Sequence, residues 1–364
     1  MDRFIIEGNR NLSGSIAVSG AKNAILPIMA ACLLAGGKSI LRNVPNLIDL
    51  KTMAHLLRIM GARVEYSGST MAIDATDLCY FEAPYELVSK MRASIYVLGP
   101  LLARLKEARV SFPGGCAIGT RPVDLHLMAL EAMGAEITIE QGYIHARAEK
   151  LVGAEIRFEK SSVGATINTL MAAVFAEGTT RLHNAAMEPE VDSVIEFLNK
   201  MGAKISGKGS TSLSIEGVEH LFPVEMQMIP DRIEAGTFLI AGALSNSPVT
   251  VTNCEPGHLR ILLDKLSEAG CELQIGEREI TITAPKEIKP VDIITLPYPG
   301  FPTDLQAQFM VLMAHAKGIS YIEETIFPDR FIHVAELNRL QANIRMNSNT
   351  ACVKGVESLG GAEV

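Results

Sequence analysis

Leu57-Arg58-Ile59-Met60-Gly61-Ala62-Arg63-Val64 closes a helical run on a glycine and restarts as an alternating strand. The phrase returns as Leu130-Glu131-Ala132-Met133-Gly134-Ala135-Glu136-Ile137 and as Leu198-Asn199-Lys200-Met201-Gly202-Ala203-Lys204-Ile205. It returns again as Leu266-Ser267-Glu268-Ala269-Gly270-Cys271-Glu272-Leu273 and, with Gln341 in the glycine's place, as Leu337-Asn338-Arg339-Leu340-Gln341-Ala342-Asn343-Ile344. A glycine there ends a helix in the left-handed conformation before the chain reverses. Gln341 is expected to carry a small strain or to end its helix differently.

Outward from this phrase, each repeat opens with another helix whose apolar body follows a small or polar start. The five starts are Ser19-Gly20-Ala21-Lys22-Asn23, Lys90-Met91-Arg92-Ala93-Ser94, Ser161-Ser162-Val163-Gly164-Ala165, Pro230-Asp231-Arg232-Ile233-Glu234 and Gly300-Phe301-Pro302-Thr303-Asp304. Each unit reads as strand, helix, strand, helix, strand, strand. A period of about 70 residues exceeds that of common solenoids, so packed globular α/β units are expected. Three units to a domain give two domains, and six units would need about 410 to 420 residues. Residues 357–364 read as the opening strand of a sixth unit, so roughly 50 C-terminal residues are expected to be absent from this chain.

The 364 residues carry a net charge of −8 and are 48% hydrophobic. That balance argues against bulk nucleic-acid binding, which needs a basic face, yet leaves room for a local cationic pocket. The N-terminus lacks the basic and apolar regions of a signal peptide, and no apolar run reaches the ~20 residues of a membrane span. Six scattered cysteines without a CxxC pair suit reduced cytosolic thiols and no zinc site. Cys32 lies in an apolar run and reads as core.

Cys116 stands apart. It sits in Gly114-Gly115-Cys116-Ala117-Ile118-Gly119, five residues before Arg121 and ten before His126. A thiol in a compliant loop near a cation suits chemistry, against the alternative of a mobile loop with an incidental cysteine. Helix N-termini suit phosphates and carboxylates. Lys22, Arg92 and Ser162 with Gly164 lie at such starts, with Arg121 and Lys160 close by in sequence. Asp231 and Asp304 take the corresponding place later, where the pattern alone reads as an N-cap. Facing the cations, Asp304 would instead be placed to take a proton from a substrate hydroxyl. His126 reads as a satisfied structural histidine, and Glu188 and Glu190 as turn residues.

Taken together, Ser19–Ala24, Met91–Ser94, Gly114–Gly119, Arg121–His126, Ser162–Thr166, Asn184–Glu190 and Gly300–Gln306 resemble the UDP-N-acetylglucosamine 1-carboxyvinyltransferases, an enolpyruvyl transferase family. The resemblance runs in order over the whole chain. It implies a two-domain inside-out α/β barrel, with residues 22–229 in the first domain and residues 1–21 plus 230–364 in the second, and substrates in the cleft between them. It implies transfer of the enolpyruvyl group of phosphoenolpyruvate to the 3′-hydroxyl of UDP-N-acetylglucosamine, with loss of phosphate, in the cytoplasm at the start of peptidoglycan synthesis. Carried over residue by residue, Cys116 matches the proton donor that can bond to phosphoenolpyruvate and that fosfomycin alkylates. Lys22 and Arg121 match the groups holding phosphoenolpyruvate. Asn23, Arg92, Arg121, Pro122, Val123, Asp124, Leu125, Lys160, Ser161, Ser162, Val163 and Gly164 match nucleotide-sugar contacts. Asp304 matches the base, and Ile326 a backbone contact. The resemblance implies small-molecule partners only, with no metal, no organic cofactor, no nucleic acid and no membrane, and it leaves the oligomeric state open. The family's sixth unit carries groups that complete the phosphoenolpyruvate site, which puts full turnover of this chain in question. Two alternatives remain: a non-catalytic paralogue that binds UDP-N-acetylglucosamine, and the sibling enzyme that uses shikimate 3-phosphate. The Cys116 loop and Arg121-Pro122-Val123-Asp124-Leu125-His126 speak against the sibling.

Overall fold

The computed structural model describes residues 4–8, 11–88, 91–112 and 123–364. The described residues divide into two compact units, residues 20–229 and residues 4–19 with 230–364. The chain passes from one unit to the other between Ser19 and Gly20 and again between Ile229 and Pro230. In the first unit the Ala21 N–H donates to the Ile229 carbonyl at 2.8 Å, and in the other the Asp231 N–H donates to the Ser19 carbonyl at 2.9 Å.

Among the described residues five four-stranded sheets share one plan. A short opening strand pairs in parallel with the strand that follows a buried helix, and an antiparallel hairpin completes the sheet. Glu82–Ala83 pairs with Glu107–Ser111, Glu155–Arg157 with Thr179–His183, and Ile293–Ile294 with Ile319–Glu323. The remaining two opening strands are exchanged. Gly14–Ala17 pairs with Val249–Thr252, in register from Gly14 against Val249, whereas Glu225–Gln227 pairs with Lys38–Arg42. Residues 357–364 make no strand, contrary to the expectation of an opening strand there. Every other opening strand is held by a parallel pairing, and these residues make none.

Helix placement follows apolar content. Lys22–Ala31 beyond its first two residues, and Val163–Ala173 with its polar Thr166, Asn168 and Thr169, are buried almost throughout, as expected of helices surrounded by protein. Pro27 does not end the first of them; the carbonyl it cannot bond belongs to Asn23, an exposed residue, where water can meet it. The second helix of each unit is amphipathic, as in Pro189–Met201, where Val191, Val194, Ile195 and Leu198 face the core. Strands such as Lys38–Arg42 and Ser212–Glu216 alternate buried and exposed residues, so one sheet face covers helices and the other meets water. Helices therefore sit inside and sheets outside. Phe309 is fully buried, edge-on to Phe301 with ring centroids 5.3 Å apart, a pair worth about 1 kcal/mol beyond its area burial.

The repeated phrase behaves as its chemistry dictates. Gly61, Gly134, Gly202 and Gly270 have φ of 101°, 92°, 109° and 100°. Gln341 takes the same turn at φ 69°, bearing the steric cost of a Cβ in the left-handed region. Replacing Gln341 with glycine is expected to raise stability by roughly 0.5–1 kcal/mol, read as a higher urea midpoint at unchanged slope. A lower midpoint would show that contact between the Gln341 side chain and Gly360 outweighs the strain.

Candidate active site

In the unit of residues 20–229 the sequence-nominated residues gather at helix starts. Lys22 and Asn23 open the helix Lys22–Ala31. Arg92 opens a 3-10 turn, Arg92–Val97, rather than an α-helix, and Leu98–Leu105 continues it. Val123 is the N-cap of Asp124–Ala132, and Asp124 and Leu125 are its first residues. Lys160 and Ser161 precede Ser162, whose hydroxyl caps Val163–Ala173 by accepting from the Ala165 N–H at 3.3 Å. Val163 and Gly164 form that helix's first turn. Cys116, Arg121 and Pro122 lie outside the described residues.

A buried hydrogen-bond cluster ties three of these starts together. The Gly99 N–H donates to Asn168 Oδ1 at 3.0 Å, which fixes the amide's orientation because a backbone N–H can only donate. Asn168 Nδ2 then donates to the Ile95 carbonyl at 3.0 Å and to His126 Nδ1 at 2.8 Å. His126 Nδ1 is thus an acceptor, and the ring proton sits on Nε2. Burial pushes the His126 pKa down to about 4, against a smaller upward pull from Asp124. His126 is 7% exposed and holds the Arg92 turn, the Asp124 helix and the Val163 helix in one arrangement, as the structural reading expects. Gly164 makes that packing possible, since a Cβ there would lie 3.0 Å from His126 Nε2. The Lys22 helix packs against the Arg92 turn.

Lys22 forms an ion pair with Asp49 at 3.5 Å, both side chains about two-fifths exposed; such a pair contributes at most about 1 kcal/mol. Glu190 is 3% exposed in the first turn of Pro189–Met201, so it is a buried helix residue rather than a turn residue. Burial pushes the Cys32 thiol up to about 12 and Cys271 up to about 11, which makes both poor nucleophiles.

In the other unit Asp231 is the N-cap that the pattern suggests, accepting from the Ile233 and Glu234 N–H groups at 2.9 and 3.1 Å. Asp304 is not a cap. It lies inside the 3-10 turn Thr303–Leu305, and its Oδ1 is 2.7 Å from Arg330 Nη1. Arg330 Nη1 also donates to Thr303 Oγ1 at 3.2 Å. Ile326 follows the strand Ile319–Glu323, and its N–H donates to Glu324 Oε1 at 2.8 Å.

Asn168, Asp49, Glu324 and Arg330 were not legible as site residues. Asn168 alone left a trace, as an amide in the apolar stretch Ala165–Ala173. Among the described residues no group of three or more His, Cys, Asp or Glu side chains could hold a metal ion, and no helix is long and apolar enough to cross a membrane.

Buried helices wrapped by outward sheets are an architecture shared with a solved enolpyruvyl transferase. The solved enolpyruvyl transferase NikO from Streptomyces tendae matches with a TM-score of 0.86 and 26% identity, over 96% of this chain and 83% of that one. EPSP synthase from Acinetobacter baumannii shares the fold at a TM-score of 0.73 and 18% identity, over 98% of this chain and 85% of that one. The sequence model of EPSP synthase (3-phosphoshikimate 1-carboxyvinyltransferase) matches residues 6–364, and this chain belongs to that family of transferases. The UDP-N-acetylglucosamine 1-carboxyvinyltransferase of Desulfosudis oleivorans is 54% identical over 364 residues, all of this chain and 87% of that protein. The protein of the same description from Chloroherpeton thalassium is 53% identical, over all of this chain and 86% of its own length.

Proposed function

We propose that this chain transfers the enolpyruvyl group of phosphoenolpyruvate to the 3′-hydroxyl of UDP-N-acetylglucosamine, releasing phosphate, in the cytoplasm at the first committed step of peptidoglycan synthesis. The observation that carries the reading is the 54% identity, across the whole chain, to a protein described as that transferase. The helix starts support it, because the positive end of a helix dipole at Lys22–Ala31 and at Val163–Ala173, with the cationic side chains of Lys22 and Arg92, suits an anionic nucleotide sugar and an anionic phosphate ester. Lys22 and Arg121 hold the phosphate and carboxylate of phosphoenolpyruvate. Asn23, Arg92, residues 121–125 and residues 160–164 receive the nucleotide sugar, and Ile326 offers a backbone contact. Residues 22–229 and residues 1–21 with 230–364 serve as the two functional halves.

The chemistry is addition and then elimination. Asp304 takes the proton from the 3′-hydroxyl as its oxygen bonds to C2 of phosphoenolpyruvate, and Cys116 gives a proton to C3. Loss of a C3 proton and departure of phosphate then restore the double bond. Asp304 fits the base role because Arg330 holds one of its oxygens and the side chain is 37% exposed. No metal or organic cofactor takes part.

Phosphate release tests the reading. Release is expected only when phosphoenolpyruvate and UDP-N-acetylglucosamine are both present, with a product heavier than the sugar nucleotide by one enolpyruvyl group. Release with shikimate 3-phosphate instead would assign the sibling reaction. Calorimetric binding of UDP-N-acetylglucosamine with no release would assign a binding protein.

A further inference from the structure

Three of the five units close their opening strand in the same way. Asn43, Asn184 and Asn253 each follow the second strand of a sheet in the left-handed conformation, with φ of 61°, 57° and 51°. Each side-chain amide donates to the carbonyl of the residue just past the opening strand. Asn43 reaches Met228 at 3.3 Å, Asn184 reaches Phe158 at 3.0 Å, and Asn253 reaches Val18 at 2.6 Å. The equivalent position after Ile319–Glu323 is Glu324, and the residue just past the opening strand Ile293–Ile294 is Thr295.

Here the clamp is inverted and enlarged. Glu324 is fully buried and accepts four hydrogen bonds. Thr295 Oγ1 donates to its Oε1 at 2.7 Å, as do the Ile326 and Phe327 N–H groups at 2.8 and 2.9 Å. Thr303 Oγ1 donates to its Oε2 at 2.7 Å. Thr303 is the neighbour of Asp304, and its hydroxyl oxygen accepts from the same Arg330 Nη1 that pairs with Asp304. A single carboxylate thus pins the turn that carries Asp304, the turn that carries Ile326, and the arginine between them. An asparagine at this place would offer one acceptor oxygen to four donors, so the departure from the repeat suits the task.

We infer that Glu324 is the positioning residue for Asp304 and Ile326, setting the direction of the Asp304 carboxylate through Thr303 and Arg330. The inference rests on the reading of Asp304 as base. It goes beyond that reading by giving Glu324 an energetic link to Asp304 without contact with substrate.

The test is a double-substitution cycle on the full chain. Glu324→Ala is expected to lower kcat by roughly 10- to 100-fold, the scale of a displaced reacting group. In the Asp304→Asn background the same change is expected to cost less than about threefold, because a positioning group has nothing left to position. Glu324→Gln keeps one acceptor oxygen and the shape, and is expected to lose only roughly three- to tenfold; it serves if the alanine variant does not fold. Equal losses in both backgrounds, or an unchanged kcat, would overturn the inference. If the unsubstituted chain releases no phosphate, the function reading fails. The inference is then judged by hydrogen exchange in Glu324→Gln. Faster exchange of the Ile326 and Phe327 amides, with the strand Asn343–Asn347 unchanged, supports it, and unchanged exchange overturns it.

Discussion

Replacing Asp304 with asparagine is expected to lower kcat by roughly 10²–10⁴-fold, the contribution of a positioned general base. The substitution is nearly isosteric. Its amide oxygen can still accept from Arg330 Nη1, which lies 2.7 Å from Asp304 Oδ1, so the turn Thr303–Leu305 should hold. The ion pair is partly solvated, and its loss costs at most about 1 kcal/mol of stability. Activity and stability therefore separate, with turnover falling by orders of magnitude and the unfolding midpoint shifting little. Binding of UDP-N-acetylglucosamine, followed by calorimetry, should weaken far less than kcat, because a base acts mainly on the transition state. A variant that keeps more than a tenth of wild-type kcat would remove Asp304 from the base role.

The second large effect is on stability and comes from His126. Its pKa is lowered in the folded state, from 6.5 to about 4. The unfolded chain therefore binds more protons than the folded one between those values. The neutral ring's contribution is complete above pH 6.5 and is lost as pH falls toward 4, a total of roughly 3 kcal/mol. Geometry supplies the reason. Protonation would put an N–H on Nδ1, facing the Asn168 amide that already donates to it. Urea unfolding at pH 7 and pH 4.5 should show the parent chain losing roughly 2–3 kcal/mol more than a His126→Gln variant, which has no proton to gain. Parallel losses in the two proteins would mean that His126 is not held neutral.

What could be read in the sequence was whatever backbone chemistry imposes locally. The left-handed turn at Gly61 and its counterparts depends on one residue and its neighbours, so even Gln341 fell into place. Asp231 carries cap chemistry within three residues of itself and was equally legible. Asp304 showed the limit of that logic. Its position matches a cap, but the chain enters by a 3-10 turn, and the choice depends on Arg330 and Glu324 far along the sequence. Asn168 acts through partners brought by other segments, as Glu324 does through Thr295 and Thr303, which no local pattern announces. Only an alignment of Glu324 with Asn43, Asn184 and Asn253 would have flagged it. The exchanged opening strands were invisible for a like reason, since Gly14–Ala17 carries nothing to say that Val249–Thr252 is its partner.

That exchange has a consequence for a chain emerging from the ribosome. In three sheets the opening strand meets its partner one helix later, but Gly14–Ala17 must wait for Val249–Thr252. At about 5–20 residues per second the wait is on the order of ten to fifty seconds. Throughout most of it Lys38–Arg42 also lacks its own partner, Glu225–Gln227. The nearest strand able to fill that open edge is Gly14–Ala17 itself, by the one-helix connection used elsewhere in the molecule. Vectorial synthesis thus offers a local pairing that the finished protein must undo, and faithful folding depends on that early pairing staying weak enough to dissolve.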